Sequence, residues 1–159
     1  MKKLLAISFI FIIIFFNGCS KEEKFGVEQF VTRMNKEYNT EYKTADFLLG
    51  KNQDENNCLF YEDGNSLLSL RLNNNNQIVG IGLLSLPEKN YTQVIDYFCK
   101  FCSVFTGFDY DSQMKILNEC EITTEKIKLT DSNMVITVGK YKYSVICNNY
   151  SVTLFCDRV

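Results

Sequence analysis

The chain of 159 residues has no histidine and no tryptophan, and its one proline is Pro87. The absence of histidine removes the commonest general base, the commonest metal ligand and the usual partner of a Ser or Cys nucleophile. No glycine-rich phosphate loop, paired-carboxylate motif or nucleophile elbow occurs either. No cofactor is therefore expected, and no catalytic set stands out. Seventeen Lys and Arg face nineteen Asp and Glu, for a formal net charge of −2. No basic stripe is present, so nucleic acid is not the expected partner. What the chain does have is aromatic rings, thirteen Phe and nine Tyr, and seven cysteines.

The amino-terminal residues have the layout of an export signal. Lys2 and Lys3 precede Leu4 to Phe16, in which Ser8 is the one polar residue, and Asn17-Gly18 then leads into Cys19. This apolar run is shorter than the roughly 20 residues of a membrane-spanning helix, so it reads as the core of a cleaved signal peptide. Phe16-Asn17-Gly18-Cys19 resembles the lipobox of bacterial lipoproteins, with Gly18 and Cys19 at its two strictest positions and Phe16 and Asn17 departing from the usual Leu and Ala or Ser. The resemblance covers residues 1–24. It implies a diacylglyceryl group on the Cys19 thiol, cleavage before that residue and acylation of the new amino terminus with a fatty acid such as palmitate. The protein would then sit in the cell envelope, lipid-anchored to the outer face of the plasma membrane or to the outer membrane. Two or three acyl chains hold a protein durably where one binds reversibly, each buried CH₂ contributing about 0.8 kcal/mol.

The expected organisation is a signal peptide over residues 1–18, a charged tether over 19–25 and one α+β domain over 26–159. Phe25 to Tyr38 reads as a helix, with Phe30 and Met34 four apart beside Val27 and Val31. Ala45 to Leu49 reads as a short second helix stopped by Gly50. Cys58 to Glu62, Ser66 to Leu72 and Gln77 to Leu84 read as a three-stranded meander through the Asp63-Gly64 and Asn73 to Asn76 turns. Glu88 to Phe105 repeats apolar residues at helical steps and stops at Gly107, after which Asp109 or Asp111 can cap a shorter helix to about Cys120. A strand through Met134, Ile136 and Val138 precedes a hairpin of Tyr141 to Cys147 and Tyr150 to Cys156. A two-residue Asn148-Asn149 turn would pair Cys147 with Tyr150 and Tyr143 with Leu154. The sum is an antiparallel sheet of five to six strands packed by helices. The order also fits two diverged helix-helix-sheet units, an arrangement similar in architecture alone to bacterial β-lactamase-inhibitor proteins.

Six cysteines lie beyond Cys19. Cys99-Lys100-Phe101-Cys102 has the spacing of a redox motif, but thioredoxin-type chemistry places that motif at the start of a helix, not deep within one. Zinc would need a second close pair, which the spacing of Cys58, Cys99, Cys102, Cys120, Cys147 and Cys156 does not provide. Buried free thiols or disulfides are the expected state, and the helical hairpin makes Cys99 and Cys120 the first candidate pair. Asp109 and Asp111 lack the further spaced carboxylates of a calcium loop. The functional expectation is a non-catalytic, lipid-anchored envelope domain that binds a protein partner. The alternatives are a cysteine- or carboxylate-dependent envelope enzyme and a structural component of an envelope assembly.

Overall fold

The computed structural model describes residues 25–51, 57–64, 66–86, 91–119, 132–147 and 151–159. Helix α1 (Val27–Tyr38) begins where the Gly26 amide donates to Gln29 Oε1, and it ends on Asn39 in the left-handed region, φ 52°. Its Phe30, Val31 and Met34 are buried, the face that their spacing predicts.

The residues expected as a second helix divide differently. Thr44–Asp46 form a single 3₁₀ turn, closed by the Lys43 amide donating 2.9 Å to Asp46 Oδ2. The chain then extends as strand β1 (Leu48–Lys51), paired with β2 (Asn57–Asp63). One helical turn costs more order than its single hydrogen bond returns, whereas the neighbouring strand satisfies several backbone groups at once. Gly50 is not a helix stop. The Phe60 ring lies across it and leaves no room for a Cβ.

Strands β3 (Ser66–Leu72) and β4 (Ile78–Ser85) complete the first meander. The asparagine run between them is a built turn: Asn73 Oδ1 accepts the amides of Asn75 and Gln77 at 2.9 and 3.0 Å, and Asn76 takes φ 58°. A shift in register between Arg71 and Leu72 places Ile78 and Ile81 on the same face despite their three-residue spacing.

Helix α2 (Tyr91–Thr106) ends at Gly107, φ 78°, and packs against α1, β4 and helix α3 (Tyr110–Glu119). Asp109 caps α3, accepting the Ser112 amide at 2.7 Å, and these hydrogen bonds hold its carboxyl below the usual range.

Strands β5 (Ser132–Val138), β6 (Tyr141–Cys147) and β7 (Val152–Arg158) form the second meander. Here the register corrects the expectation by two residues: Cys147 pairs with Val152, Val145 with Leu154 and Tyr143 with Cys156. Strand β7 therefore starts at Val152, later than a two-residue Asn148-Asn149 turn would place it; residues 148–150 lie outside the described residues. A slip of two keeps every side chain on its face, so alternation alone cannot tell the two registers apart.

Among the described residues the sheet has seven strands in the order β1-β2-β3-β4-β7-β6-β5, antiparallel throughout, one or two more than expected. The α+β class stands. Each meander ends in a central strand, where Leu83 of β4 faces Leu154 of β7. Each is also preceded by helical segments, which matches two units, with β1 an addition to the first.

Candidate functional site

The helices cover one face of this sheet. Leu68, Leu70, Ile81, Leu83, Tyr143, Val145 and Leu154 point into that layer and are almost fully buried beneath Phe30, Phe98 and Phe101. Directly opposed residues in an antiparallel pair share a face. The registers therefore assign Cys58, Phe60, Leu67, Ser69, Arg71, Gly80, Gly82, Leu84, Phe155 and Asp157 to the other face.

At the centre of that second face is a hollow of about 310 Å³, lined by the residues just named and by Thr153. Its floor is formed by Gly80 and Gly82. A Cβ at Gly82 would press on Ser69 Oγ and the Phe155 ring, and one at Gly80 on the Arg71 and Asp157 side chains. The two glycines thus let the phenyl ring and the Arg71–Asp157 ion pair lie close to the backbone. Farther out on the same face, Leu48, Val135 and Ile146 are 69%, 52% and 42% exposed. Single exposed apolar residues are ordinary; Leu48 stands on one edge strand, and Val135 and Ile146 stand on the two strands at the opposite edge.

The cysteines separate by face. Cys58 lines the hollow, cross-strand from Arg71, and is itself buried, 8% exposed. Cys99, Cys102, Cys147 and Cys156 are buried in the core on the helix side. Burial pushes the Cys99 thiol up to about 12 and the nearby Asp96 carboxylate adds to the shift; its Sγ lies 3.2 Å from Met114 Sδ of α3. Burial also raises Cys102 well above an ordinary thiol. The Cys99-Lys100-Phe101-Cys102 segment lies in mid-helix with both thiols held protonated, the opposite of what redox catalysis needs. Cys120 and Cys19 lie outside the described residues, so neither the Cys99–Cys120 pair nor the lipidation site is placed. Among the described residues, no group of three or more Cys, Asp or Glu side chains is placed to hold a metal ion.

A second polar cluster is structural. Tyr143 Oη donates 2.9 Å to Gln113 Oε1, and Gln113 Nε2 donates 2.6 Å to Thr106 Oγ1. The Thr106 hydroxyl in turn donates to the Cys102 carbonyl at 2.8 Å, which ties α2, α3 and β6 together. Burial raises the Tyr143 phenol, so it stays a donor. Ser103, which meets Tyr38 Oη, donates to the Lys100 carbonyl, and Lys100 is paired with Asp96 at 2.7 Å. That hydroxyl lies buried within the packed helices.

These placements predict an order of thiol reactivity. With excess maleimide at pH 8, Cys58, buried but lining the hollow, is expected to react at least tenfold faster than Cys99 and Cys102, which are fully buried with raised thiols, because alkylation follows access and thiolate content. Peptide mapping after a timed quench reads this directly. Equal rates would mean that the core opens freely. Comparison with known proteins adds no family: no family model matches the sequence, and no curated protein or solved structure matches it.

Proposed function

We propose that this protein is a non-catalytic, lipid-anchored envelope domain that binds a protein partner through the open face of its sheet. The observation that carries the reading is the hollow between Phe60 and Phe155, set in a face with exposed Leu48, Val135 and Ile146. Interface hot spots are large apolar or aromatic side chains seated in such hollows, surrounded by contacts that exclude water. The Arg71–Asp157 pair at one end offers polar groups for orientation. The anchor on Cys19 would hold this surface at the membrane, where it meets other envelope proteins.

The test compares partner recovery from solubilised membranes by three forms of the chain. Val135→Glu/Ile146→Glu charges the open face at two exposed positions. Lys115→Glu charges α3 on the helix side, where its side chain is exposed. Specific proteins retained by the wild type and by Lys115→Glu, but reduced about tenfold or more by the open-face variant, are expected. The same proteins recovered by all three forms, or none by any, would sink the proposal.

A second reading takes its support from Cys58, a buried thiol that lines the hollow and whose cross-strand partner is Arg71. A nearby cation is what activates a cysteine nucleophile. The binding reading is preferred because the chain has no histidine to accept the thiol proton. Turnover that disappears in Cys58→Ala would reverse that preference.

A further inference from the structure

Strand β5 stands at the end of the sheet. Strand β6 pairs with one side of it, and among the described residues no strand pairs with the other. An edge strand presents a row of amide and carbonyl groups that another strand can take up, and sequences ordinarily guard it with shortness, charge, proline or a bulge. The opposite edge is guarded in this way, since β1 has four residues and ends in Lys51. β5 has none of these devices. Its seven residues, Ser132-Asn133-Met134-Val135-Ile136-Thr137-Val138, include no charge and no proline, and their pairing with β6 runs without a bulge.

We infer that this protein dimerises along β5, which pairs antiparallel with β5 of a second copy and joins the two sheets into one. The choice of occupant follows from how β5 matches itself. Directly opposed residues of an antiparallel pair share a face. With Val135 on the two-fold axis, Met134 meets Ile136 of the second copy, and Asn133 meets Thr137 of the second copy. Met134 and Ile136 are half-buried and packed against the core on the helix side, while Asn133, Val135 and Thr137 are exposed on the open face. Each contact across the axis is thus apolar on apolar or polar on polar, and no like charges oppose. That is the self-complementarity a two-fold interface requires. The added strand completes the burial of Met134 and Ile136 and takes up the outward backbone groups of β5. Both open faces then lie on one side of the joined sheet, so the hollow over Gly80 and Gly82 occurs twice on that side.

The test uses the full chain in mild detergent. Val135→Cys sets one thiol of each copy at the axis, and gentle oxidation followed by non-reducing electrophoresis is expected to give a disulfide-linked dimer. The wild type, and Leu48→Cys on the opposite edge, are expected to give less than about one tenth as much, because no pair of their thiols is held within bonding distance. Sedimentation velocity is expected to find two copies for the wild type. Asn133→Lys/Thr137→Lys is expected to weaken association about tenfold or more, since it sets lysines against one another across the axis. Both positions are exposed, so the circular dichroism of that variant should match the wild type. A wild type that sediments as one copy overturns the proposal, as does a dimer that the two lysines leave intact. Cross-linking of Val135→Cys no greater than that of Leu48→Cys overturns it as well.

Discussion

Phe30→Ala is expected to cost about 3–5 kcal/mol of folding stability, the range for removing a fully buried aromatic side chain. Phe30 is 0% exposed, and its ring centroid lies 6.4 Å from those of Phe25 and Phe47 and 6.2 Å from that of Phe101. Those three rings belong to the chain entering α1, the residue leading into β1, and α2. One truncation therefore loosens the joint between both halves of the helix layer. The space left cannot close easily, because each neighbouring ring is held by another: Phe47 by Tyr61 and Phe101 by Tyr97. A domain of this size is stable by only about 5–15 kcal/mol, so the variant would lose a large share of the total. Urea denaturation checks this: the midpoint should fall while the slope is unchanged. Phe30→Leu, which refills most of the volume, is expected to lose less than half as much. A loss of stability under about 1 kcal/mol for the alanine variant would mean that the aromatic cluster does not hold the helices as described.

Cys19→Ala is expected to abolish fatty-acid incorporation and to block cleavage ahead of residue 19. The thiol is the sole attachment point for a diacylglyceryl group in the lipobox reading, and alanine offers no nucleophile. Since durable anchoring takes at least two acyl chains, no intermediate state of one tightly held chain is available. Metabolic labelling with a fatty-acid analogue, read beside membrane fractionation, tests both parts. Unchanged labelling in the variant would overturn the lipoprotein reading and, with it, the placement of the binding surface at a membrane. The domain itself should be unaffected, because Cys19 precedes α1 by a charged segment. Far-UV circular dichroism and the melting temperature of the variant should match the wild type.

The sequence by itself determined the class of the protein. Helical spacing of Phe30 and Met34, and of Val94, Phe98, Phe101, Cys102 and Phe105, marks α1 and α2, because those steps put apolar groups on one line of a helix. Alternation in Leu68, Leu70 and Leu72, and in Tyr141, Tyr143 and Val145, marks strands with one buried face. The glycines at 64 and 107 and the acid at 109 mark turns and a cap through backbone preferences that act locally. The absence of histidine excludes the catalytic sets that depend on it.

Tertiary structure alone decided the rest. Strand β1 is too short to be recognised in the sequence and exists because β2 supplies its hydrogen bonds. The β6–β7 register differs by two residues from the one that the turn suggested, since both registers bury the same side chains. The joining of the two meanders at β4 and β7 is a pairing between residues some seventy positions apart, such as Leu83 and Leu154, which no local pattern encodes. That pairing builds the hollow over Gly80 and Gly82. In the sequence these glycines read as small members of a strand. Periodicity records which face a side chain takes. Which partner it meets there is settled by long-range pairing.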